Sequence, residues 1–285
     1  GDAVQGNYTV TYETGTLKIT PKAVVVKAEN KTKVFGDADP ILTATVTGLV
    51  GEDTVSYSIS RAPGEDIGEY TITPAGDAVQ GNYTVTYETG TLKITPKAVV
   101  VKAENKTKVF GDADPILTAT VTGLVGEDTV SYSISRAPGE DIGEYTITPA
   151  GDAVQGNYKV TYETGTLTIT PKSVVVKADD KEKVYGDTDP ILTATVTGLA
   201  GEDTISYSIS REPGESVGSY TITPAGDEVQ GNYTVTYETG TFTITPKSVV
   251  VKADDKEKVF GDPDPALTAT VTGLVGEDTV VYTFS

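Results

Sequence analysis

The chain of 285 residues contains no cysteine, histidine, methionine or tryptophan. Without cysteine it forms neither a disulfide nor a thiolate metal site. Without histidine and cysteine it also lacks the commonest general base and the most effective nucleophile of enzymes. The absence of easily oxidised side chains suits a protein that works outside the cell. One ancestral unit without these residues, copied several times, would give the same composition.

Basic residues are few, and long apolar runs are absent. The chain carries 22 Lys and Arg against 41 Asp and Glu, a net charge of −19. Such an acidic surface disfavours binding to nucleic acid and anionic lipid, and it favours solubility. No apolar run reaches about 18 residues, so we expect no membrane-spanning helix. Because no signal peptide or initiator Met is recognisable, we interpret the chain as part of a longer protein.

What the chain does contain is an internal repeat of 75 residues. Residues 1–75 recur without change as residues 76–150, and drifted copies begin at Gly151 and Gly226. Identical copies in series add little to an enzyme, which needs one active site, whereas every copy adds length to a spacer. The repeat therefore favours a structural role over a catalytic one.

Alternating apolar and polar residues predict seven strands and no helix in each repeat. In the first whole repeat we expect these strands at residues 23–28, 33–35, 42–47, 55–60, 69–73, 83–87 and 91–95. Glu88, Thr89 and Gly90 separate the last two runs. Three residues ending in glycine are typical of a hairpin, with the glycine in the left-handed conformation.

The folding unit does not begin where the numbering begins. Only Pro96 and Lys97 separate the last strand of one repeat from the first strand of the next, and proline stiffens such a junction or blocks edge pairing there. We therefore expect whole repeats at residues 22–95, 97–170 and 172–245. Residues 1–20 would be the closing strands of a preceding repeat, and residues 247–285 the opening strands of a following one.

Four motifs resemble those of MBG repeats of the YGX type. Residues 33–43 resemble the VYGD-DP-LT opening, with Tyr185 in place of Phe35 in the third repeat. Residues 60–70 resemble the SR-xx-GE-xx-G-x-Y motif, and residues 81–87 and 167–172 resemble the closing NYTITY and LTITPK motifs. The resemblance covers every repeat. It implies a tandem array in a secreted bacterial surface protein or adhesin, a fold related to the β-grasp, and no catalytic or metal-binding residues.

The expected fold class is therefore all-β. We expect a tandem array of small β-sandwich or β-grasp-like modules joined end to end into an elongated rod.

Acidic side chains provide the only candidates for an active site or a metal site. Paired carboxylates serve glycosidases, but the acids here lie in turn-like stretches, where solvated acids are expected. Calcium is the stronger alternative because it prefers oxygen ligands. Its candidate ligands are Glu29, Asp37 and Asp39, with Asp179, Asp180, Asp187 and Asp189 in the third repeat. Because histidine and cysteine are absent and these acids are expected to be solvated, we expect no enzymatic activity. No known calcium-loop spacing is present, so we expect no cofactor and no metal, with calcium as the alternative.

Two further features have competing interpretations. An internal isopeptide crosslink would use Lys27, Asn82 and an acid such as Glu88, although nothing in the sequence marks one. The tyrosines could form a sugar-binding platform, but their alternation within strands favours the core. These tyrosines are Tyr57, Tyr70, Tyr83 and Tyr87.

These features predict stalk or spacer repeats of a bacterial surface adhesin or surface fibre, located extracellularly at the cell surface. The alternative is an array of weak binding modules for a glycan or host protein, acting by avidity. The expected partners are neighbouring repeats or head-to-tail copies, and a host ligand bound through another region. We expect neither nucleic-acid binding nor membrane insertion.

Overall fold

The computed structural model describes residues 1–285 and is built from strands and connecting segments, without a helix. It therefore contains no helix with the length and hydropathy needed to cross a bilayer. The chain divides into two compact units, and the boundary between these units falls inside the second repeat. Unit 1 comprises Gly1–Glu104, Thr118–Ser135 and Thr148–Thr164, and unit 2 comprises Asn105–Leu117, Arg136–Ile147 and Gly165–Ser285.

The first whole repeat lies in unit 1 and contains eight strands. Two short strands precede it, β1 (Val4–Gln5) and β2 (Tyr8–Thr9), which pair with each other. The strands of the repeat are β3 (Lys22–Ala28), β4 (Lys31–Val34), β5 (Ala44–Thr47), β6 (Ser58–Arg61), β7 (Gly68–Ala75), β8 (Val79–Gln80), β9 (Tyr83–Glu88) and β10 (Gly90–Thr95). The two-residue strand β8 is the one that the alternation pattern did not predict.

These strands form two mixed sheets of four strands each. Sheet 1 has the order β5-β3-β9-β8, and sheet 2 has the order β4-β10-β7-β6. The central pair of sheet 1, β3 with β9, is parallel, as is the pair of β4 with β10 in sheet 2. The remaining neighbours are antiparallel. Both the first and the last strands of the repeat are therefore held in parallel pairs.

The predicted hairpin around Glu88–Gly90 is wrong. β9 and β10 are separated by Thr89 alone, and they belong to different sheets. Gly90 does not have a positive φ. Instead, a Cβ at Gly90 would lie 2.8 Å from the carbonyl oxygen of Ala28. Glycine is needed here because two backbone segments approach closely, and not because the chain turns.

Each sheet buries one face in its own hydrophobic cluster. The cluster on sheet 1 contains Val24, Val26, Tyr83 and Val85. The cluster on sheet 2 contains Ile72, Leu92 and Ile94, joined by Ala28 from the end of β3. Connecting segments cover both clusters. Leu42 packs on the second cluster and Val55 on the first, and both residues lie outside the strands. As a result, β5 begins at Ala44 and β6 at Ser58, two and three residues later than predicted.

The same pattern recurs in the later repeats. The second repeat contains β11 (Lys97–Ala103), β12 (Lys106–Val109), β13 (Ala119–Thr122), β14 (Ser133–Arg136), β15 (Gly143–Ala150), β16 (Val154–Gln155), β17 (Tyr158–Glu163) and β18 (Gly165–Thr170). The third contains β19 (Lys172–Ala178), β20 (Lys181–Val184), β21 (Ala194–Thr197), β22 (Ser208–Arg211), β23 (Gly218–Ala225), β24 (Val229–Gln230), β25 (Tyr233–Glu238) and β26 (Gly240–Thr245). Last come β27 (Val250–Ala253) and β28 (Ala269–Thr272).

Strand pairing in these repeats follows the first. In unit 1, residues of the second repeat form the sheet β13-β11-β17-β16, and its other sheet has the order β12-β18-β15-β14. The third repeat lies in unit 2 and has the sheets β21-β19-β25-β24 and β20-β26-β23-β22. The chain is thus an all-β tandem array, as the sequence predicts. The fold does not include the helix of a β-grasp domain.

Only short strands form in the two end segments. Residues 1–20 contain β1 and β2 alone, and residues 247–285 contain β27 and β28 alone. Leu17 and Ile19 are 89% and 84% exposed, whereas their equivalents Leu92 and Ile94 are buried. In the whole repeat this strand is held between β4 and β7, and residues 1–20 include no counterpart of either.

Candidate functional site: the ionic cluster and the repeat junction

A lysine occupies a buried position in each whole repeat. Lys33 is 7% exposed because the alternation of β4 places its side chain on the inner face. Its ammonium group donates hydrogen bonds to Asp39 Oδ1 at 2.7 Å, Glu65 Oε2 at 2.5 Å and the Asp37 carbonyl oxygen at 3.2 Å. Burial of a charge is tolerated when it is paired and hydrogen-bonded in this way.

Arg61, at the end of β6, completes the same group. Its Nε and Nη2 donate to the two carboxylate oxygens of Asp39 at 2.5 and 3.1 Å, and Nη2 also donates to Glu65. Its Nη1 donates to the carbonyl oxygens of Ala62 and Gly64 at 2.9 and 2.6 Å. We call Lys33, Asp39, Arg61 and Glu65 the ionic cluster. It joins β4, the segment after β4, the end of β6 and the segment between β6 and β7.

The cluster remains ionised over a wide pH range. Hydrogen bonds from Arg61 and Lys33 lower the pKa of Asp39 to about 2. Those from Lys33 and Arg61 lower the pKa of Glu65, and Asp39 and Glu65 together raise the pKa of Lys33. None of these groups is set to exchange a proton near neutral pH. The arrangement therefore suits fastening of surface loops and not acid–base chemistry.

The cluster recurs in the other whole repeats. Its members are Lys108, Asp114, Arg136 and Glu140 in the second repeat and Lys183, Asp189, Arg211 and Glu215 in the third. In the third repeat, neighbouring positions have changed: Glu212 replaces Ala62 and Ser216 replaces Asp66. The retention of four charges between altered neighbours is the signal that sequence reasoning missed.

The candidate calcium ligands of the first repeat do not come together in an oxygen-lined cage. Asp39 faces two cations in the ionic cluster, and Glu29 accepts hydrogen bonds from Thr43, Thr45 and Lys31. The four candidates of the third repeat also have separate partners. Asp179 accepts from Thr193 and Thr195, and Asp180 accepts from the Thr241 amide. Asp187 pairs with Lys247, and Asp189 pairs with Lys183 and Arg211. No group of three or more acidic side chains is placed to hold a metal ion.

The residues considered for an isopeptide bond are also separated. Lys27 and Glu88 form an exposed ion pair at 3.4 Å. Asn82 lies at the opposite end of the same strand pair, where its carbonyl oxygen accepts a hydrogen bond from the Lys22 amide. The crosslink triad is therefore not assembled.

The four tyrosines do not form one platform. Tyr83 and Tyr87 belong to the cluster of sheet 1, Tyr70 packs on the cluster of sheet 2, and Tyr57 is 37% exposed. The Tyr83 hydroxyl donates to Asp53 Oδ2 at 2.5 Å and accepts from the Val50 amide at 3.1 Å. These contacts place Tyr83 in the core, where its hydroxyl holds the segment between β5 and β6.

The ionic cluster lies beside a junction between repeats. Within unit 1, the Phe35 ring meets the edge of the Tyr158 ring, with centroids 5.4 Å apart and planes at 84°. Asn157 forms two hydrogen bonds across the same junction. Its Oδ1 accepts from the Ile67 amide at 2.9 Å, and its Nδ2 donates to Asp66 Oδ1 at 2.8 Å. Asp66 and Ile67 directly follow Glu65 of the ionic cluster. The cluster therefore fixes the segment that docks on the second repeat.

Gly36 allows the two repeats to approach closely. Its φ is +83°, and a Cβ at this position would lie 2.5 Å from a methyl carbon of Val125 in the next repeat. A side chain here would therefore strain the backbone and collide with the neighbour. The Lys97 ammonium lies 4.0 Å from the Asp37 carboxylate on the same side.

The junction recurs within unit 2. Phe110 meets Tyr233 at 5.4 Å and 82°, and Asn232 bonds to the Ile142 amide and to Asp141. A variant of this junction joins the third repeat to the segment that contains Asp278. Tyr185 replaces the phenylalanine and donates to Asp278 Oδ2 at 2.9 Å.

Comparison with known proteins gives one family. A family model described as MBG domain (YGX type) matches residues 24–93, 99–168, 174–243 and 249–285. Among curated protein sequences no match is found.

Solved structures similar to the chain include mouse cadherin-23 EC22-24, at 10% identity and a TM-score of 0.25, covering 76% of this chain and 95% of that one. Drosophila N-cadherin EC1-4 has 10% identity and a TM-score of 0.23, covering 91% and 78%. Scores this low support no statement about function.

Proposed function

We propose a structural role for this chain, which belongs to the family of MBG domains of the YGX type. In this proposal its repeats are stalk segments of a bacterial surface adhesin or surface fibre, and they hold a binding region away from the cell. Each repeat adds length, and the junctions determine how that length is presented.

The observation that carries the proposal is the recurrent junction. Phe35 with Tyr158 in unit 1 and Phe110 with Tyr233 in unit 2 make the same edge-to-face contact, each accompanied by the same pair of asparagine hydrogen bonds. A flexible tether between independent domains does not need such contacts. Their recurrence supports a chain whose consecutive repeats are fixed to each other.

An extracellular location is part of the proposal. Sequence resemblance to MBG repeats implies arrays in secreted surface proteins, and the lack of cysteine and methionine suits an oxidising environment. The net charge of −19 favours solubility and keeps neighbouring stalks apart.

The proposal includes no catalytic role, metal or cofactor. The acids with the most perturbed pKa values, such as Asp39, are neutralised by Lys33 and Arg61 within the fold. The alternative of weak multivalent binding predicts affinity that rises steeply with repeat number.

Deletion of residues 76–150 tests the stalk proposal. Because residues 1–75 and 76–150 are identical, this deletion removes one whole repeat with one junction and leaves the sequences of the remaining junctions unchanged. The chain is displayed on a cell between an anchor and an epitope tag, and the height of the tag above the membrane is measured by super-resolution microscopy. We expect the tag to move inward by about 30–40 Å per repeat, from the scaling for compact domains. An unchanged height would refute the proposal, and a Gly/Ser linker of equal length is the control.

A further inference from the structure

The first two strands of each repeat pair with its last two strands and form one parallel ladder in constant register. In the first repeat, Lys22 lies opposite Tyr83 in sheet 1 and Val34 lies opposite Thr95 in sheet 2. The partners differ by 61 positions in both sheets. We call residues 22–34 the leading segment and residues 83–95 the trailing segment. The two segments pass together from sheet 1 to sheet 2.

Side chains bridge the point where the segments change sheets. The Asn30 Oδ1 accepts a hydrogen bond from the Thr91 amide at 2.9 Å, which continues the ladder between its two parts. Beyond the two strand pairs, the Lys22 amide donates to the Asn82 carbonyl oxygen and the Phe35 amide to the Thr95 carbonyl oxygen, each at 2.9 Å. The segments are thus joined from the first residue of the repeat to the last.

The third repeat retains this arrangement despite its sequence changes. Lys172 lies opposite Tyr233, and Val184 lies opposite Thr245, again 61 positions apart. Asp180 replaces the bridging asparagine, and its Oδ1 accepts from the Thr241 amide at 2.7 Å. An acceptor at this position is therefore kept even though the residue type has changed.

This register determines how the repeat responds to tension along the chain. Tension pulls the leading segment towards its amino end and the trailing segment towards its carboxyl end. Since the two segments are parallel, they are pulled in opposite directions along a common axis. All hydrogen bonds of the ladder are then loaded together. In an antiparallel hairpin pulled at its open end, the bonds are loaded one after another.

We propose that each repeat is built to carry tensile load, and that the leading and trailing segments form its load-bearing clamp. The inference rests on the proposed stalk function, because tension reaches a repeat only when the repeats act in series between an anchor and a tip. A spacer needs length alone, whereas the clamp adds resistance to force. Such resistance is governed by the rate of unfolding, and not by equilibrium stability.

The absence of cysteine from the chain allows force to be applied at chosen positions. Two cysteine pairs are introduced separately into the 285-residue chain. Lys22→Cys with Lys97→Cys loads the clamp in shear. Lys22→Cys with Asn82→Cys pulls the parallel strands β3 and β9 apart from their amino ends, so that their hydrogen bonds break one after another. Thiol-linked DNA handles and an optical trap then measure the rupture force at one loading rate.

We expect the pair at 22 and 97 to rupture at a force several-fold higher than the pair at 22 and 82. Full extension should release about 260 Å and about 210 Å of chain, respectively. Equal rupture forces would overturn the proposal. This outcome is distinguishable from failure of the stalk proposal, because a chain that folds back on itself would shorten the display height and leave the rupture forces unchanged.

Two matched variants of the chain with handles at 22 and 97 provide a second test. Asn30→Ala removes the hydrogen bond that bridges the two parts of the clamp. Ser58→Ala removes a side-chain hydrogen bond to the Ala75 carbonyl oxygen, between the antiparallel strands β6 and β7. We expect the rupture force to fall for Asn30→Ala and to stay unchanged for Ser58→Ala. Equal effects would contradict a clamp formed by the leading and trailing segments.

Discussion

Replacing Asn157 with alanine should loosen the junction between the first and second repeats while both repeats remain folded. The substitution removes a hydrogen bond from the Ile67 amide and one to the Asp66 carboxylate, at 2.9 and 2.8 Å. A neutral hydrogen bond contributes about 0.5–1.5 kcal/mol, and one to a charged group about 1.5–3 kcal/mol. Because the junction is partly exposed, we expect a combined loss of about 1–3 kcal/mol.

The chain offers a matched control for this substitution. Asn82 is the equivalent residue of the first repeat, and it is exposed, since no loop of a preceding repeat docks on it. Asn82→Ala therefore changes the same local turn without affecting a junction. The difference between the two variants isolates the contribution of the contacts across the junction.

Hydrogen exchange at the Ile67 amide provides the assay. A loss of about 1–3 kcal/mol corresponds to exchange that is about 5–150-fold faster. Segmental isotope labelling is needed because residues 1–75 and 76–150 are identical. If Asn157→Ala accelerates exchange at Ile67 no more than Asn82→Ala does, the junction is not held by these bonds and the reasoning is refuted.

The ionic cluster and the metal question give three further predictions. Lys33→Met should lower the stability of the first repeat by about 1–2 kcal/mol, read from the urea midpoint, because Asp39 and Glu65 lose a donor; an unchanged midpoint would argue against a stabilising cluster. Because the pKa of Asp39 falls from 3.8 to about 2 on folding, its ionised form stabilises the fold above about pH 4, and this contribution is lost as the pH falls towards 2. Urea midpoints should therefore fall over that range, and less steeply for Asp39→Asn. Melting temperatures should be the same with and without EDTA, whereas a lower value with chelator would show that a bound metal stabilises the chain.

Local alternation predicted the class of the fold and most strands. It failed where a distant segment decides the structure. In the sequence Gly90 lies between two alternating runs, which is the pattern of a hairpin, yet in the structure it begins β10 and passes close to the backbone of Ala28. That approach joins residues about sixty positions apart, and no local pattern records it. Leu42 similarly alternates like a strand residue but leaves the sheet to cover a cluster.

The site was less predictable than the fold. From the sequence, Asp39 is a turn residue and a candidate calcium ligand, whereas Lys33 is a strand residue without a role. Only the folded chain shows that Arg61 and Glu65 come together with them. The family was predictable, because its motifs span each repeat and the family model matches all of them. Comparison of the repeats shows that the four charges are retained, but it does not separate them from other retained charges such as Glu52 and Asp53.

Small-angle X-ray scattering of the 285-residue chain tests the central claim, that the repeats form a stalk, most directly. A compact protein of this length would have a radius of gyration of about 19 Å, whereas three whole repeats in series should extend over roughly 90–120 Å. The proposal predicts a maximum dimension in or above that range, which shortens by roughly 30–40 Å when residues 76–150 are deleted. A radius of gyration near 19 Å, with a maximum dimension that does not shorten in this way, would contradict it.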